Sequence, residues 1–245
     1  PGLGGLIQML LGWPSIFLIM SLLGLLLLLL VFRDLGETKI IKKNKKEKSS
    51  SSFINLFRDA KFWGYSFTLA FSAGTFFSFL GGAPYVATKV YNLNSIVSGL
   101  VMGFPAAGYF VGNYLSGRYS KFYGIDYMAL RGILLVIFGM FICLVITVFY
   151  RDTPYFFFGL CSFVGLGNGL IIPNASVGIL SVNENLSGTA GGIGNAIMIG
   201  TGAILASLTS YYLENQTSSS YLIFIMLLSG ALSYTSLYIF VLRNK

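Results

Sequence analysis

The stretch Pro14–Phe32, PSIFLIMSLLGLLLLLLVF, contains 19 residues without a charge, and Leu22–Val31 within it is almost unbroken leucine. A helix that crosses the hydrocarbon core of a bilayer needs about 20 predominantly apolar residues. A strand of a membrane β-barrel would instead alternate polar and apolar residues over about 10 positions. This stretch therefore predicts a transmembrane α-helix.

The rest of the chain repeats this pattern. Of its 245 residues, 55% are hydrophobic and 10% are charged, whereas a soluble domain carries about 25% charged residues. Thirteen of the 24 charged residues lie between Arg33 and Lys61, which leaves long charge-free runs elsewhere. These runs predict an all-α polytopic membrane protein with seven complete spans, at about residues 14–32, 62–82, 95–117, 128–150, 154–178, 187–211 and 220–242.

The first residues read as part of one more helix. Pro1–Leu11 is apolar, and the following Gly12-Trp13-Pro14 favours a break, because Pro prefers the first helical turn and Trp prefers the membrane interface. The segment has neither a charged beginning nor a small-residue cleavage site, so a signal peptide describes it poorly. We therefore expect the chain to begin inside a transmembrane helix.

Lysine and arginine are distributed unequally between the two sets of loops. Nine lie in the segment 33–61, three around the turn 118–131 and two at the C-terminus, all on one side if the spans alternate. Only Lys89 and Arg151 fall on the other side. Because cytoplasmic loops carry the excess of positive charge, this 14:2 division predicts a cytoplasmic segment 33–61 and a cytoplasmic C-terminus. It also accounts for the net charge of +8 without a nucleic-acid partner.

The segment 33–61 has two parts. Lys39–Ser52 is charged, polar and of low complexity, which is typical of a flexible linker beside anionic headgroups. Phe53–Trp63 predicts a short interfacial helix leading into the next span, and its apolar face consists of Phe53, Leu56, Phe57 and Ala60. A lipid-binding or partner-binding patch at Lys42–Lys48 is an alternative to a solvated linker.

Several kinds of chemistry lack the residues they need. The chain contains no histidine, which excludes His-based catalysis, haem ligation by histidine and zinc sites of the HExxH type. Cys143 and Cys161 lie inside apolar runs at a spacing that fits no zinc or redox motif, and we interpret them as packing residues. We predict no catalytic residue, no metal site and no cofactor.

Two of the predicted spans carry small residues along one face. Membrane helices associate where small residues let their backbones approach closely. One face of the span 95–117 carries Gly99, Gly103, Ala106, Phe110, Asn113 and Gly117. The span 187–211 repeats the pattern with Gly188, Gly192, Asn195, Ile199, Gly202 and Ala206. We predict helix–helix packing seams there, with Gly99, Gly103, Gly188 and Gly192 as the packing glycines. Two alternatives remain open for these helices: static packing, or packing combined with sliding during a conformational change.

A stripe of hydroxyls indicates a ligand path. Thr68, Ser72 and Thr75 lie at i, i+4 and i+7 of one span, followed by Phe79 at i+11. Hydroxyls on one face inside a membrane are expected to face a cavity or another helix. The alternative is that each hydroxyl bonds to its own i−4 carbonyl.

Two asparagines extend the set of cavity candidates. An amide is costly to leave unpaired in lipid, so Asn168 and Asn195 should face either the cavity or a neighbouring helix. Pro173, preceded by three glycines, predicts a helix kink. No Asp, Glu, Lys or Arg lies well inside a predicted span, although Arg131 lies near the start of one.

Six segments carry a resemblance to a known family: Pro1–Gly5 (PGLGG), Gly12–Phe17 (GWPSIF), Asp34–Thr38 (DLGET), Gly112–Arg118 (GNYLSGR) with Lys121 and Gly124, Gly165–Asn174 (GLGNGLIIPN) and Ser187–Gly194 (SGTAGGIG). In this order they resemble the glycine-rich signature of helix five, the start and end of helix six, the cytoplasmic motif between helices eight and nine, and helices ten and eleven. The family is that of the major facilitator drug/proton antiporters, of the bicyclomycin/chloramphenicol-resistance (Bcr/CflA) type. Gly36 stands where that family usually has Pro.

The resemblance implies an organisation for the chain. It would run from the end of helix five through helix twelve of a six-plus-six-helix fold. Residues 1–32 would end the N-terminal bundle, 33–61 would be the cytoplasmic linker, and 62–245 would form the C-terminal bundle. Helix seven, with the hydroxyl stripe, would line the central cavity. Gly4 and Gly5 would be packing glycines, and the conformational-switch loop would comprise Gly112, Gly117, Arg118, Lys121 and Gly124.

The resemblance also implies a function. We expect secondary active transport in the bacterial inner membrane, by alternating access, with export of small, largely hydrophobic compounds in exchange for protons. The partners would be the lipid bilayer, a small-molecule substrate and protons, with the coupling carboxylate in an N-terminal half. An uptake or metabolite transporter of the same fold is the alternative. An intramembrane enzyme is a remote one, because the spans hold no cluster of catalytic side chains.

Overall fold

A computed structural model describes residues 7, 10–34, 49–214 and 218–243. The packing glycines predicted at Gly4 and Gly5 and most of the predicted linker lie outside these residues. The chain divides into two units, Pro1–Ser49 and Ser50–Lys245, and each is described by itself.

Among its described residues, the first unit contains one long helix, α1, at Pro14–Asp34. Gly12 precedes it with a φ of +79°, a left-handed conformation that glycine adopts at little cost, and Pro14 begins the helix as predicted. No described residue of α1 is buried, and its leucines are about half exposed all around the helix. A helix that is apolar on every side is typical of a membrane span.

The second unit consists of helices joined by short turns. In chain order they are α2 (Ser49–Arg58), α3 (Ala60–Tyr85), α4 (Ser95–Val101), α5 (Phe104–Tyr123), α6 (Ile125–Phe149), α7 (Pro154–Ser181), α8 (Ser187–Leu213) and α9 (Ser220–Leu237). Wider π-helical turns extend α3 through Val86–Val90 and α9 through Tyr238–Leu242. Seven helical segments of the described chain are long and apolar enough to cross a membrane, which confirms the predicted all-α polytopic fold with seven spans.

The predicted span 95–117 is present within the apolar segment Ile96–Tyr123, but it is not one continuous helix. The structure divides it at Met102 and Gly103 into α4 and α5, because Pro105 lies in the first turn of α5, where a missing N–H costs nothing. Helix α5 then continues to Tyr123, and Gly124, with a φ of +84°, makes the whole turn into α6. The charged turn predicted at 118–131 is therefore mostly helix.

The short helix predicted before the second span is present with different bounds. Helix α2 ends at Arg58, and the Asp59 side chain caps α3 by accepting a hydrogen bond from the backbone N–H of Lys61 at 2.7 Å. Of the predicted apolar face, Leu56 is buried, whereas Phe57 remains 44% exposed. At the predicted kink, α7 continues through Pro173 without a break.

Helices α3 and α7 hold the bundle together. Helix α7 packs against α5, α6 and α3, and α3 packs against α8 and α9. The core between them is rich in large apolar side chains, including a perpendicular contact of Phe79 with Phe158, with ring centroids 6.3 Å apart. Cys143 and Cys161 are free thiols buried in this core, as predicted for packing residues.

The tightest helix–helix seam lies between α5 and α7. A Cβ added to Gly112 would lie 2.2 Å from the carbonyl oxygen of Leu166, and one added to Gly165 would lie 1.8 Å from that of Pro105. Real Cβ atoms do not approach backbone this closely, so only glycine allows these two helices to touch. The buried face of α5 consists of Pro105, Gly108, Gly112 and Ser116.

The first predicted glycine set does not pack against the described bundle, and its role as a helix seam stays a prediction. A Cβ on Gly99 or Gly117 would meet nothing within 4 Å, and one on Gly103 would meet only the nearby Leu100 oxygen. The buried face of α5 runs through Gly108 and Gly112. It therefore lies beside the predicted face, at a different position around the helix.

Within the described bundle, the second predicted face is packed only at its far end, and the role of Gly188 and Gly192 stays a prediction. A Cβ on Gly202 would lie 2.4 Å from Phe77 of α3, whereas Cβ atoms on Gly188 and Gly192 would meet nothing within 4 Å. The packed face at the start of α8 runs instead through the buried Ala190 and Gly194, two residues further along. Gly188 and Gly192 are exposed.

Candidate functional site

An apolar cavity of about 370 Å³ lies between α3, α5, α7 and α8. Its described lining consists of Ala73, Phe76, Phe77, Ala106, Tyr109, Asn168, Ile172 and Met198. Sites for small molecules are concave and mostly apolar, with volumes of about 300–1,000 Å³ and a few polar groups. This cavity, with three aromatic rings and one amide, is the candidate site.

Helical spacing explains how the chain lines this cavity. Phe76 and Phe77 follow Ala73 by three and four residues on α3, so the three side chains share one face. Ala106 and Tyr109 on α5 are three residues apart, and Asn168 and Ile172 on α7 are four apart. Each helix thus contributes one turn, with Met198 completing the wall from α8.

Hydrogen bonds to α3 fix the amide of Asn168. The Ser72 hydroxyl donates to Asn168 Oδ1 at 2.5 Å, and Asn168 Nδ2 donates to Thr75 Oγ1 at 3.3 Å. All three side chains are at most 1% exposed. An amide nitrogen carries two N–H donors, and the described bond to Thr75 uses one of them.

The predicted hydroxyl stripe lies beside the cavity and not in its wall. Thr68 Oγ1 donates to the carbonyl oxygen of Gly64 at 2.7 Å, which is the i−4 alternative. Thr75 Oγ1 donates to the Ser72 carbonyl oxygen at 2.6 Å, and Phe79 is buried against Phe158. Thr68, Ser72, Thr75 and Phe79 are not among the described lining residues of this cavity, because the stripe faces the interior of the bundle. Their place in a ligand path stays a prediction.

The structure separates the two predicted asparagines. Asn168 is both an interhelical hydrogen-bond partner and part of the cavity wall. Asn195 is exposed on α8 and lines a separate recess of about 50 Å³ beside Ser176 and Gly191. The two residues therefore do not form one site.

Most residues of the predicted switch loop belong to a helix. Gly112, Gly117, Arg118 and Lys121 lie in α5, and only Gly124 makes a turn. The Arg118 guanidinium donates to the Tyr114 hydroxyl at 3.1 Å and lies 5.8 Å from the ring centroid of Tyr119. Its described partners thus belong to its own helix, at the exposed end of α5.

Sequence reasoning missed a carboxylate at this end of the bundle. Asp126 is only 9% exposed, in the first turn of α6, where the helix N-terminus favours negative charge. The Tyr65 hydroxyl of α3 donates to its Oδ1 at 2.5 Å, and the Tyr65 ring lies against Gly178 of α7, where a Cβ would be 2.6 Å away. An acidic residue directly after the Gly124 turn was the available signal, and the predicted loop 118–131 concealed it.

A second missed carboxylate joins three segments at the opposite end of the bundle. Asp152 accepts hydrogen bonds from the Tyr91 hydroxyl, from Ser218 Oγ at 3.0 Å, and from the backbone N–H and Oγ of Ser219 at 2.9 and 2.8 Å. Burial, and then the hydrogen bond to Asp152, raises the pKa of Tyr91 well above its ordinary value. This cluster ties the end of the α3 segment and the α6–α7 turn to the start of α9.

Comparisons with known proteins fit this architecture. Residues 1–207 match the sequence profile described as "Major Facilitator Superfamily". The chain is 28% identical over 220 residues to a bicyclomycin resistance protein homolog of Haemophilus influenzae, covering 86% of this chain and 53% of that protein. It is 25% identical over 248 aligned positions to an uncharacterized transporter of Rickettsia felis, covering 97% of this chain and 61% of that protein.

A third relative matches a shorter part of the chain. An uncharacterized MFS-type transporter of Bacillus subtilis, YdgK, is 28% identical over 111 residues, which are 44% of this chain and 28% of that protein. The chain therefore spans between about a quarter and three fifths of the length of these relatives. The family profile covers well over half of the chain, and its helices are long and apolar enough to span a membrane. The chain belongs to the major facilitator superfamily of membrane transporters.

Proposed function

We propose that this protein is a secondary active exporter of small, largely hydrophobic compounds. The observation that carries the proposal is the cavity of about 370 Å³ with three aromatic side chains, a methionine and one amide in its described wall. An aromatic and thioether surface adapts to flat apolar molecules. A transporter of polar metabolites would more often place charged side chains on such a wall, and none of the described lining residues is charged.

The amide of Asn168 would orient the substrate in the cavity. Its two hydrogen bonds to α3 hold it in place, and a fixed polar group in an apolar cavity selects ligands with a matching acceptor. The similarity to a protein named as a bicyclomycin resistance homolog supports drug-like cargo.

The mechanism of the proposal is alternating access. Helices α3 to α9 would form one bundle and α1 would belong to the other, with the protein in the bacterial inner membrane and its C-terminus in the cytoplasm. One bundle would rock against the other around a site near the membrane midplane. Proton entry would drive export through a carboxylate outside this cavity, since no acidic side chain is among its described lining residues.

Filling the cavity tests the proposal. Ala106 lines it from an exposed position on α5, so Ala106→Trp should occupy the space with little damage to the core. Ala107, the exposed neighbour, faces a different surface groove, so Ala107→Trp is the matched control. We expect Ala106→Trp to weaken binding of a fluorescent lipophilic compound to the purified chain by about tenfold, ~1.4 kcal/mol.

Transport provides the second measurement. In everted membrane vesicles holding the complete transporter that contains this chain, a proton gradient should drive uptake of the same compound, and Ala106→Trp should reduce it. Equal effects of both tryptophan variants, or transport that ignores the proton gradient, would contradict the proposal.

A further inference from the structure

A groove outside the transport cavity runs along the outer face of α6. It has a volume of about 540 Å³, and its described lining consists of Arg131, Leu134, Leu135, Ile137, Phe138 and Phe141. None of these residues lines the cavity around Asn168, so the groove is a separate feature.

The groove combines a cation with an apolar track. Arg131, Leu134, Phe138 and Phe141 are spaced by three, four and three residues, which places them in one row along the helix. Leu134, Phe138 and Phe141 are 42%, 58% and 56% exposed. Ile137 lies beside Gly230 of α9, where a Cβ would make an ordinary contact of 3.4 Å with Ile137 Cγ1.

Arg131 has the chemistry of an anion-binding group. Its guanidinium lies 4.9 Å from the ring centroid of Tyr127, as a cation–π contact, and no described carboxylate forms an ion pair with it. A guanidinium carries five N–H donors in a fixed plane, and this plane suits two oxygens of a phosphate group. The tyrosine ring holds the charge in position without neutralising it.

The dimensions match one leaflet of a bilayer. Ten residues separate Arg131 from Phe141, and a helix rises about 1.5 Å per residue, so the track is about 15 Å long. That is half of the roughly 30 Å hydrocarbon thickness. Arg131 lies within the second turn of α6, close to the start of the candidate span Ile125–Phe149. In a helix that crosses the bilayer, this end would be the one near the headgroups.

We propose that this groove binds one anionic phospholipid, with its phosphate on Arg131 and an acyl chain along Leu134, Phe138 and Phe141. Negative charge in the headgroup distinguishes this ligand from a zwitterionic lipid, because the cation has no described acidic partner to balance. If Arg131 were only a membrane anchor, its positive charge would suffice and the apolar row Leu134, Phe138 and Phe141 would not be needed.

Lipid retention by the purified chain tests the proposal. The 245-residue chain would be extracted from vesicles of equal phosphatidylglycerol and phosphatidylcholine, and the lipids still bound would be counted by native mass spectrometry. We expect phosphatidylglycerol to be enriched, and Arg131→Gln to reduce its retention by about fivefold, the effect of one basic residue near a membrane surface.

Two matched controls distinguish binding at this groove from a general effect of losing a positive charge or an exposed apolar side chain. Arg118 is also an exposed arginine near a tyrosine ring but does not line the groove, so Arg118→Gln should leave retention unchanged. Phe138→Ala should lower retention, whereas Phe149→Ala, at an 82% exposed position at the far end of the same helix, should not. Absence of enrichment in the unsubstituted chain, or equal losses in a test variant and its control, would overturn the proposal.

Discussion

The hydroxyl of Ser72 donates a 2.5 Å hydrogen bond to Oδ1 of Asn168 and so joins α3 to α7 directly beside the apolar cavity. Both side chains are at most 1% exposed. The bond thus has two consequences, one for the stability of the bundle and one for the orientation of the amide that the cavity presents.

Removing the Ser72 hydroxyl should show how much this bond contributes to the stability of the bundle. We expect Ser72→Ala to destabilise the protein by about 1 kcal/mol. Interhelical hydrogen bonds in membranes are worth about 0.6 kcal/mol on average and at most about 1.7 kcal/mol, and the buried Asn168 oxygen would lose its donor. The free energy of unfolding in mixed micelles measures this. Ser181→Ala is the control, since the described hydrogen bond of the Ser181 hydroxyl is to the carbonyl of Gly178 within its own helix. Equal stability of both variants would show that the bond between α3 and α7 contributes nothing.

The seam between α5 and α7 should be intolerant of any side chain. Gly165→Ala would place a Cβ 1.8 Å from the Pro105 carbonyl oxygen, backbone against backbone, and overpacking of this kind costs about 1–3 kcal/mol or more. Gly159→Ala, on the same helix, meets nothing within 4 Å and should be neutral or slightly stabilising. Thermal unfolding in detergent compares the two. A Gly165→Ala protein as stable as Gly159→Ala would mean that the helices separate freely.

Arg118 should govern conformational switching more than substrate binding. It lies near the exposed C-terminal end of α5, where a cation is favoured. In the proposed transporter its guanidinium would bond to exposed carbonyls of the other bundle. In the complete transporter, Arg118→Ala should slow transport while substrate affinity stays within a few-fold. Arg151→Ala, at the opposite end of the bundle, is the control. A normal transport rate in Arg118→Ala would favour the simpler role of a positive-inside anchor.

The 14:2 division of basic residues predicts a topology that labelling can check. In intact cells, an impermeant thiol reagent should label Asn92→Cys, at an exposed turn near Lys89, but not Ser50→Cys, on the predicted cytoplasmic side. Cys143 and Cys161 are buried, and replacing both with alanine removes the background. Strong labelling at position 50 and none at position 92 would invert the proposed orientation.

Local composition was enough to establish the spans. The leucine run of Pro14–Asp34 and the charge-free runs that follow it have one stable conformation in lipid, because every backbone N–H and C=O there must be bonded within its own segment. This requirement acts on each segment separately, so no knowledge of neighbouring helices was needed. The same reasoning placed Pro14 at a helix start and the two cysteines among packing residues.

Only the tertiary structure decided which face of each helix meets which neighbour. Gly99 and Gly112 look alike in the sequence, yet Gly112 touches the backbone of α7 and a Cβ on Gly99 would meet nothing. The hydroxyls of α3 turned inward toward Asn168, and the cavity formed on the adjacent face, around Phe76 and Phe77. In lipid, all sides of an apolar helix are almost equally soluble, so hydrophobicity alone does not determine which side faces a neighbouring helix. The close approach of small residues determines it, and this approach depends on the residues of both helices.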